Sequence, residues 1–444
     1  MSPSVESITL SEWETLTSAD CPKLADRFLD DSVECRRVVD ALNKSQMLRL
    51  TELKQGIEVS AFSHVGRVRV GDLSITILPK LNATSLLRLL RYAFGFRRLE
   101  LISDSTHLVE QCGFEDLLIS QLNAEAQELI SRGLQRAYVP QNERLASPRG
   151  RINIDRLALD GGTITATLPC QHHPRVEDTL LNRVLMAGLR LAGSLASLVD
   201  LRRESRRLAS MMEEQVSSIT LNASVLEHAA RQMNRLSAAY VPSLSIITLL
   251  VEAQGIVLEG KTLTSTLPGF LFDMNTFFQA LLSRFLRDNL PDYSVRDEHG
   301  LKGMMRYNPK FRRPNRKSPT PRPDYAVLKS QKLVALLDAK YRDLWEKSLP
   351  REMLYQLVMY AISCDQKRST ILYPTLNERA REERIDVSHP LSGSHLGQVC
   401  LRPANLNRIE ELVSADTAAL RRERAAFAER LAFGESVQIG GKRQ

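Results

Sequence analysis

The sequence predicts a multidomain protein of mixed class, α+β with α/β character: a β-rich and helical N-terminal region, a helical middle and a C-terminal domain built on a sheet. Three observations predict it. Val65 to Lys80 (VGRVRVGDLSITILPK) alternates apolar and polar residues around Gly71-Asp72, the pattern of a β-hairpin. Glu177 to Ala239 contains no proline and repeats leucine at spacings of three and four, the pattern of packed helices. Arg322 to Tyr360 reads strand, turn, strand, then helix.

Length and composition set the frame. A chain of 444 residues is long enough for two or three domains with cores of their own. Hydrophobic content of 43% and charged content of 25% are those of a globular protein. A net charge of +8 permits a polyanionic partner without requiring one. The six cysteines (Cys21, Cys35, Cys112, Cys170, Cys364 and Cys400) are scattered with no CxxC pair. Zinc is therefore not expected, and a reducing, cytoplasmic compartment is. The N-terminal MSPSVESITL lacks a basic stretch followed by an apolar core, so no signal peptide is expected. The long apolar stretch Leu180 to Val199 is broken by Asn182, Arg183 and Arg190, which excludes a membrane span there.

From the N-terminus, a helix is expected near Val33 to Leu42. In the Val65–Lys80 hairpin, Arg67 and Arg69 face away from the apolar residues. Ser85 to Phe94 reads as a short helix. Phe114 to Leu134 is amphipathic, with Leu117, Leu118, Leu122, Ala126 and Leu129 at helical spacing and Gly133 as its terminator. Pro148-Arg149-Gly150-Arg151 is a turn opening a short strand. Its arginines are solvated on the plain reading and touch a phosphate or partner on the sharper one. His172-His173 invites a metal reading, but adjacent side chains point apart on a strand or a helix and no ligand cluster accompanies them. A loop or packing role fits better. Asp200 to Glu214 is charge-dense, which marks an exposed face or a partner-docking arm. Phe270 to Leu290 is an amphipathic helix starting near Asp273, and Asn405 to Phe433 reads as a charged helix.

Gly255 to Thr262 (GIVLEGKT) formally fits a phosphate-binding loop after the apolar run Leu244 to Val251. Such a loop aims successive backbone N–H groups at phosphates and then opens a helix. Ile256, Val257 and Leu258 suit that turn poorly. The following LTSTLPGF is β-prone and reaches Pro268 within six residues of Thr262. A chance match with a β-turn at Glu259-Gly260 is the better account.

The stretch that carries chemistry begins at Asp324. It precedes one strand (Tyr325 to Leu328), and Asp338 ends the next (Leu333 to Leu337), with Ser330-Gln331 as the turn. The two carboxylates can then converge at one sheet edge. With the backbone carbonyl of Ala339 and waters they make a hard oxygen site suited to Mg²⁺. Strand side chains alternate, so Asp338 and Lys340 share a face and an ammonium stands beside that site. Gln356 and Tyr360 lie four apart on a helix, hence on one face. The plain reading is a solvated hairpin with a surface ion pair. Just before Asp324 lies the run Lys302, Arg306, Lys310, Arg312, Arg313, Arg316, Lys317 and Arg322, kept irregular by four prolines and free of acids. Charge runs are usually solvated loops, but one feeding a pair of carboxylates suits a DNA backbone.

The ordered series GDLSITILPKL, RGLQRAYVP, PRGRINID, EDTLLNRVL, FLFDMN, then PD, DAK and Gln-x-x-x-Tyr resembles the McrC family, the nuclease subunit of bacterial modified-cytosine restriction systems. The resemblance spans roughly residues 60 to 375. It implies a C-terminal PD-(D/E)xK restriction-endonuclease-like domain that cuts DNA with Mg²⁺. It also implies an N-terminal region that docks on a McrB-like hexameric AAA+ GTPase and stimulates it. Its catalytic residues fall on Asp324, Asp338 and Lys340, with Gln356 and Tyr360 in support. One departure is Gln279, where the family often has an acid. The expected segments are a docking region over 1–160, a helical linker or stalk over 161–265, the nuclease over 266–404 and a charged helix over 405–444. Pairing of two copies through the nuclease domain stays open, and no membrane partner is expected. The rival reading is an adaptor that activates the motor without cutting.

Overall fold

The acidic hairpin occupies the middle of a six-stranded mixed sheet in the computed structural model, which describes residues 6–95, 114–159, 166–254, 269–313 and 315–434. By its contacts the chain divides into two units. One comprises Met1–Val65, Val70–Gly95 and Leu271–Gln444; the other comprises Gly66–Arg69 and Phe96–Phe270.

In the first unit the six strands stand in the order Ser294–Asp297, Tyr325–Lys329, Lys332–Ala339, Arg368–Thr375, His395–Asn405, Glu383–Ser388. Tyr325–Lys329 and Lys332–Ala339 are antiparallel, paired Tyr325 to Leu337. Ser330 and Gln331, between them, both have positive φ (47° and 67°), as a tight two-residue hairpin turn requires. Lys332–Ala339, Arg368–Thr375 and His395–Asn405 run parallel. A parallel neighbour needs a crossover, and the helix Arg351–Ser363 supplies the first one. It closes one face of the sheet with a core that includes Leu336, Leu357, Tyr360, Ile371, Val399 and Leu401. Each such leucine or isoleucine contributes about 2 kcal/mol by leaving water.

The helix Met274–Asn289 is capped by Asp273, whose side chain accepts from the Asn275 N–H. It buries Phe277, Phe278, Leu281, Phe285 and Leu286. The tail departs from the single expected helix. Leu406–Val413 ends at Ser414, and Ala418–Phe433 starts afresh with Thr417 as its cap. Two side-chain caps, Asn405 and Thr417, explain the break: each satisfies the free N–H groups of a new helix start. Near the N-terminus, Glu6–Ser11 pairs in parallel with Leu73–Leu78, and the expected first helix spans Val33–Ser45. His64–Val70 and Leu73–Leu78 are sheet neighbours joined at Gly71, as the alternation predicts.

The second unit is largely helical, with Phe114–Arg132, Leu180–Leu195, Val199–Ser210, Ala223–Arg231 and Val241–Gln254. Asn182, fully buried, ties it together. Its amide donates to the carbonyls of Glu177 (2.6 Å) and Gln135 (2.9 Å), and its oxygen accepts from the Tyr240 hydroxyl at 2.6 Å. The apolar run Leu244 to Val251 is helical here, whereas a phosphate-binding loop follows a strand. Gly255 to Thr262 itself lies outside the described residues. His172 is in a strand with Nε2 2.5 Å from Glu143, and no group of three or more His, Cys, Asp or Glu suited to a metal exists among the described residues. No described helix is long and apolar enough to cross a membrane.

Candidate active site

Hairpin register brings the two acids together. Tyr325 opposes Leu337, so the next residues outward, Asp324 and Asp338, face each other across the two strands. Asp324 Oδ2 accepts the Ala339 N–H at 2.7 Å, which locks the first acid onto the second strand. Lys340 Nζ lies 3.4 Å from Asp338 Oδ2 and 3.8 Å from Asp324 Oδ2. Its own N–H is held by the Leu372 carbonyl of the parallel neighbour at 3.0 Å. Three charged groups therefore converge at the end of a strand fixed on both sides.

Burial decides their electrostatics. Asp338 is only 3% exposed. Desolvation, and then the nearby Asp324 carboxylate, push its pKa up to about 6, against the opposing pull of Lys340. Burial works against the Lys340 ammonium too, but the Asp338 and Asp324 carboxylates outweigh it and hold the lysine above its ordinary pKa. The lysine is thus a fixed positive charge.

Gln356 and Tyr360 share a face of the helix Arg351–Ser363, where Gln356 Nε2 donates to the Tyr360 hydroxyl at 2.8 Å. Tyr360 is buried and Gln356 exposed. Burial raises the pKa of Tyr360 first, and the charges of Asp338 and Asp324 add to it, which places the phenol within their field. Lys310, Arg312, Arg313, Arg316, Lys317 and Arg322 are all exposed in the irregular stretch before Asp324. Arg316 lies over the Tyr307 ring at 5.0 Å. Those six basic side chains are not drawn into the acid–lysine cluster.

Three participants escaped sequence reasoning. Tyr325, next to Asp324, donates its hydroxyl to the Gln279 carbonyl at 2.7 Å and so pins the helix Met274–Asn289 beside the acids. Asn275, in FLFDMN, accepts the Tyr341 N–H at 3.3 Å just beyond Lys340. Phe311, 85% exposed within the basic stretch, offers an aromatic face among arginines. Only Phe311 carried a usable signal, an aromatic interleaved with basic residues.

The donor set suits a hard divalent cation: two carboxylate groups held close at high electrostatic cost, with a backbone carbonyl adjacent. The cost would fall on binding one, because the cation replaces mutual repulsion with attraction.

Comparison with known proteins gives a fold likeness and a family. A chain of the refined half-complex from the tetradecameric assembly of Thermococcus gammatolerans McrB AAA+ hexamers with bound McrC is similar in fold, at TM-score 0.57 and 19% identity, covering 95% of this chain and 99% of that one. A chain of the Thermococcus gammatolerans McrBC complex aligns at TM-score 0.44 and 20% identity, over 64% of this chain and 88% of that one. No curated protein matches the sequence. Residues 59–374 match the family described as McrBC 5-methylcytosine restriction system component, and because that match covers most of the chain and includes Asp324, Asp338 and Lys340, the chain belongs to this family.

Proposed function

We propose that this chain is the McrC-like subunit of a McrBC-type restriction system, a Mg²⁺-dependent DNA endonuclease of the PD-(D/E)xK type that binds and stimulates a McrB-like hexameric AAA+ GTPase. The observation that carries the nuclease reading is the convergence of Lys340 Nζ on Asp338 and Asp324 at 3.4 and 3.8 Å, at the end of a strand in a mixed sheet. The motor reading rests on family membership and on fold likeness to a chain of the McrB–McrC assembly.

Asp324, Asp338 and the Ala339 carbonyl would hold the ion. When bound, Mg²⁺ supplies charge stabilisation at the phosphate and acidifies a water. Lys340, kept protonated by its acidic neighbours, donates to the attacking water and offsets charge on the phosphate oxygens. Gln356, exposed on its helix and steadied by its bond to the buried Tyr360 hydroxyl, presents its amide to the DNA strand. Exposed Lys310, Arg312, Arg313, Arg316, Lys317 and Arg322 draw the DNA backbone toward Asp324.

The test uses methylated plasmid, Mg²⁺, GTP and the co-purified AAA+ partner. Wild type cuts; Asp338→Ala and Lys340→Ala do not. Cutting retained by Asp338→Ala would falsify the nuclease reading. Stimulated GTP hydrolysis without any cutting by wild type would leave the adaptor role alone.

A further inference from the structure

We propose that a second, arginine-lined cleft in the unit that carries the acid–lysine site grips DNA backbone phosphates beside the cut, an inference that rests on the nuclease reading above. The cleft has a volume of about 1010 Å³ and is lined by Arg381, Arg384, Arg402, Arg408, Arg430 and Phe427, among others. It is unrelated in sequence to the basic stretch before Asp324.

Its position follows from the sheet. Lys332–Ala339, Arg368–Thr375 and His395–Asn405 are consecutive parallel strands, so their C-terminal ends share one edge. The candidate site sits at the end of the first. The cleft takes Thr375 from the end of the second, and Arg402 and Asn405 from the end of the third. Neighbouring strands lie about 5 Å apart, so the two features are separated by about two strand spacings. They open on opposite faces. Leu401 joins the core under the helix Arg351–Ser363, and Arg402, the next residue, points the other way to donate to the Leu431 carbonyl at 2.7 Å. A nucleic-acid strand that crosses this edge from the scissile phosphate runs into the cleft.

Its charge is built and not fully neutralised. Glu382 accepts from Arg402 Nε at 2.5 Å and from Arg384 Nε at 2.6 Å, which fixes both guanidinium groups in the wall. Glu411 and Glu423 hold Arg408. Arg402 is 4% exposed and its Nη1 donates to the Leu431 carbonyl at 2.7 Å, so it is part of the wall, and the charge a ligand can reach stands on the rim. Arg381 and Arg430 are exposed on the rim. Among the described residues neither reaches a carboxylate: Arg381 donates to the carbonyls of Glu378 and Ala380, and Arg430 lies over the Phe427 ring at 5.4 Å. The lining holds five arginines against Glu378, Glu382 and Glu411. An open cleft with two uncompensated cations on its rim suits successive phosphates of a chain better than one small anion.

The experiment measures binding of the full chain to a short duplex by fluorescence anisotropy in EDTA, over a range of salt concentrations. Arg381→Glu combined with Arg430→Glu is expected to weaken binding about tenfold or more at low salt. It should also flatten the dependence of log affinity on log salt by about 2. The milder alanine pair should fall between that variant and wild type. A control pair, Arg203→Glu with Arg231→Glu on exposed helices of the other unit, should stay within about twofold of wild type. Equal affinity of the rim variants and wild type, with wild type still cutting in its complex, overturns the cleft and leaves the nuclease. Equal loss in the control pair also overturns it. A wild type that neither binds nor cuts overturns both.

Discussion

Tyr341, the residue that follows Lys340, donates its hydroxyl to Glu12 Oε1 at 2.9 Å. Glu12 is 1% exposed and also accepts the Lys80 N–H at 2.7 Å, while its Oε2 has no partner. The Tyr341 ring packs edge-on against Phe278 at 5.9 Å, and its N–H reaches Asn275, which in turn donates to Ser63 at 2.6 Å. The chain just past the candidate lysine is therefore fastened to a residue near the N-terminus and to the helix Met274–Asn289. Residues 1–65 and 271–444 share one unit in part through this clamp.

The clamp makes a pH-dependent stability. Burial pushes the Glu12 pKa from 4.5 up to about 7, against the pull of the Lys80 N–H and the Tyr341 hydroxyl. Between those two values the folded chain keeps a proton that the unfolded chain has lost. The stabilising contribution is thus complete below about pH 4.5 and fades as pH rises through 7. The amount at stake is up to about 3 kcal/mol. Glu12→Gln stays neutral at every pH, so its melting temperature should exceed that of wild type at pH 8 and approach it at pH 5. Parallel melting curves for the two proteins across this range would dispose of the idea.

The acid–lysine cluster predicts opposite signs for two neighbouring substitutions. Asp338 is held ionised only at a cost from burial and from Asp324. Asp338→Asn removes that cost and should raise stability by about 1–2 kcal/mol while abolishing cleavage. Lys340→Met strips the counter-charge from both carboxylates and should lower stability by about 1–3 kcal/mol, with cleavage also lost. Chemical denaturation separates these from a general failure to fold. Two destabilised variants would mean that the carboxylates are not in strained proximity.

The turn at Ser330-Gln331 offers a third test. Both residues occupy the left-handed region, which costs serine and glutamine more than asparagine and glycine. Replacing the pair by Asn-Gly should stabilise the unit by about 1 kcal/mol without changing cleavage. A drop in stability would show that the side chains do more than turn the chain; Gln331 already accepts from Arg296 Nη2 at 2.8 Å, so the gain will be smallest if that bond matters.

Much of the acid site was legible because its parts are local. A two-residue turn between alternating apolar runs sets the register, and register sets Asp324 opposite Asp338. The helices at 114 and 274 announced themselves through a terminator, Gly133, and a start, Asp273. What stayed hidden is long-range. Nothing near Glu12 distinguishes it from a surface glutamate, because its burial comes from Tyr341, more than three hundred positions away. Glu6–Ser11 and Leu73–Leu78 both alternate, but nothing in either segment marks the other as its parallel partner. Arg381 and Arg430 are likewise far apart in sequence and meet only at the end of the sheet.

Gln279 gives the last prediction. Its backbone carbonyl is fixed by the Tyr325 hydroxyl at 2.7 Å, and Tyr325 adjoins Asp324, so the half-buried side chain belongs to the neighbourhood of the two acids. A carboxylate at this position adds a third anionic oxygen group to a site that already repels itself. Gln279→Glu should therefore lower the stability of the metal-free chain by about 1 kcal/mol. It should tighten Mg²⁺ about tenfold, because affinity for hard cations rises with the number of charged oxygen ligands. Calorimetric titration with Mg²⁺ and melting curves with and without the ion measure both halves. If stability falls and Mg²⁺ affinity does not rise, the added carboxylate sits near the acids without facing the cation, and the glutamine is a packing residue on the helix.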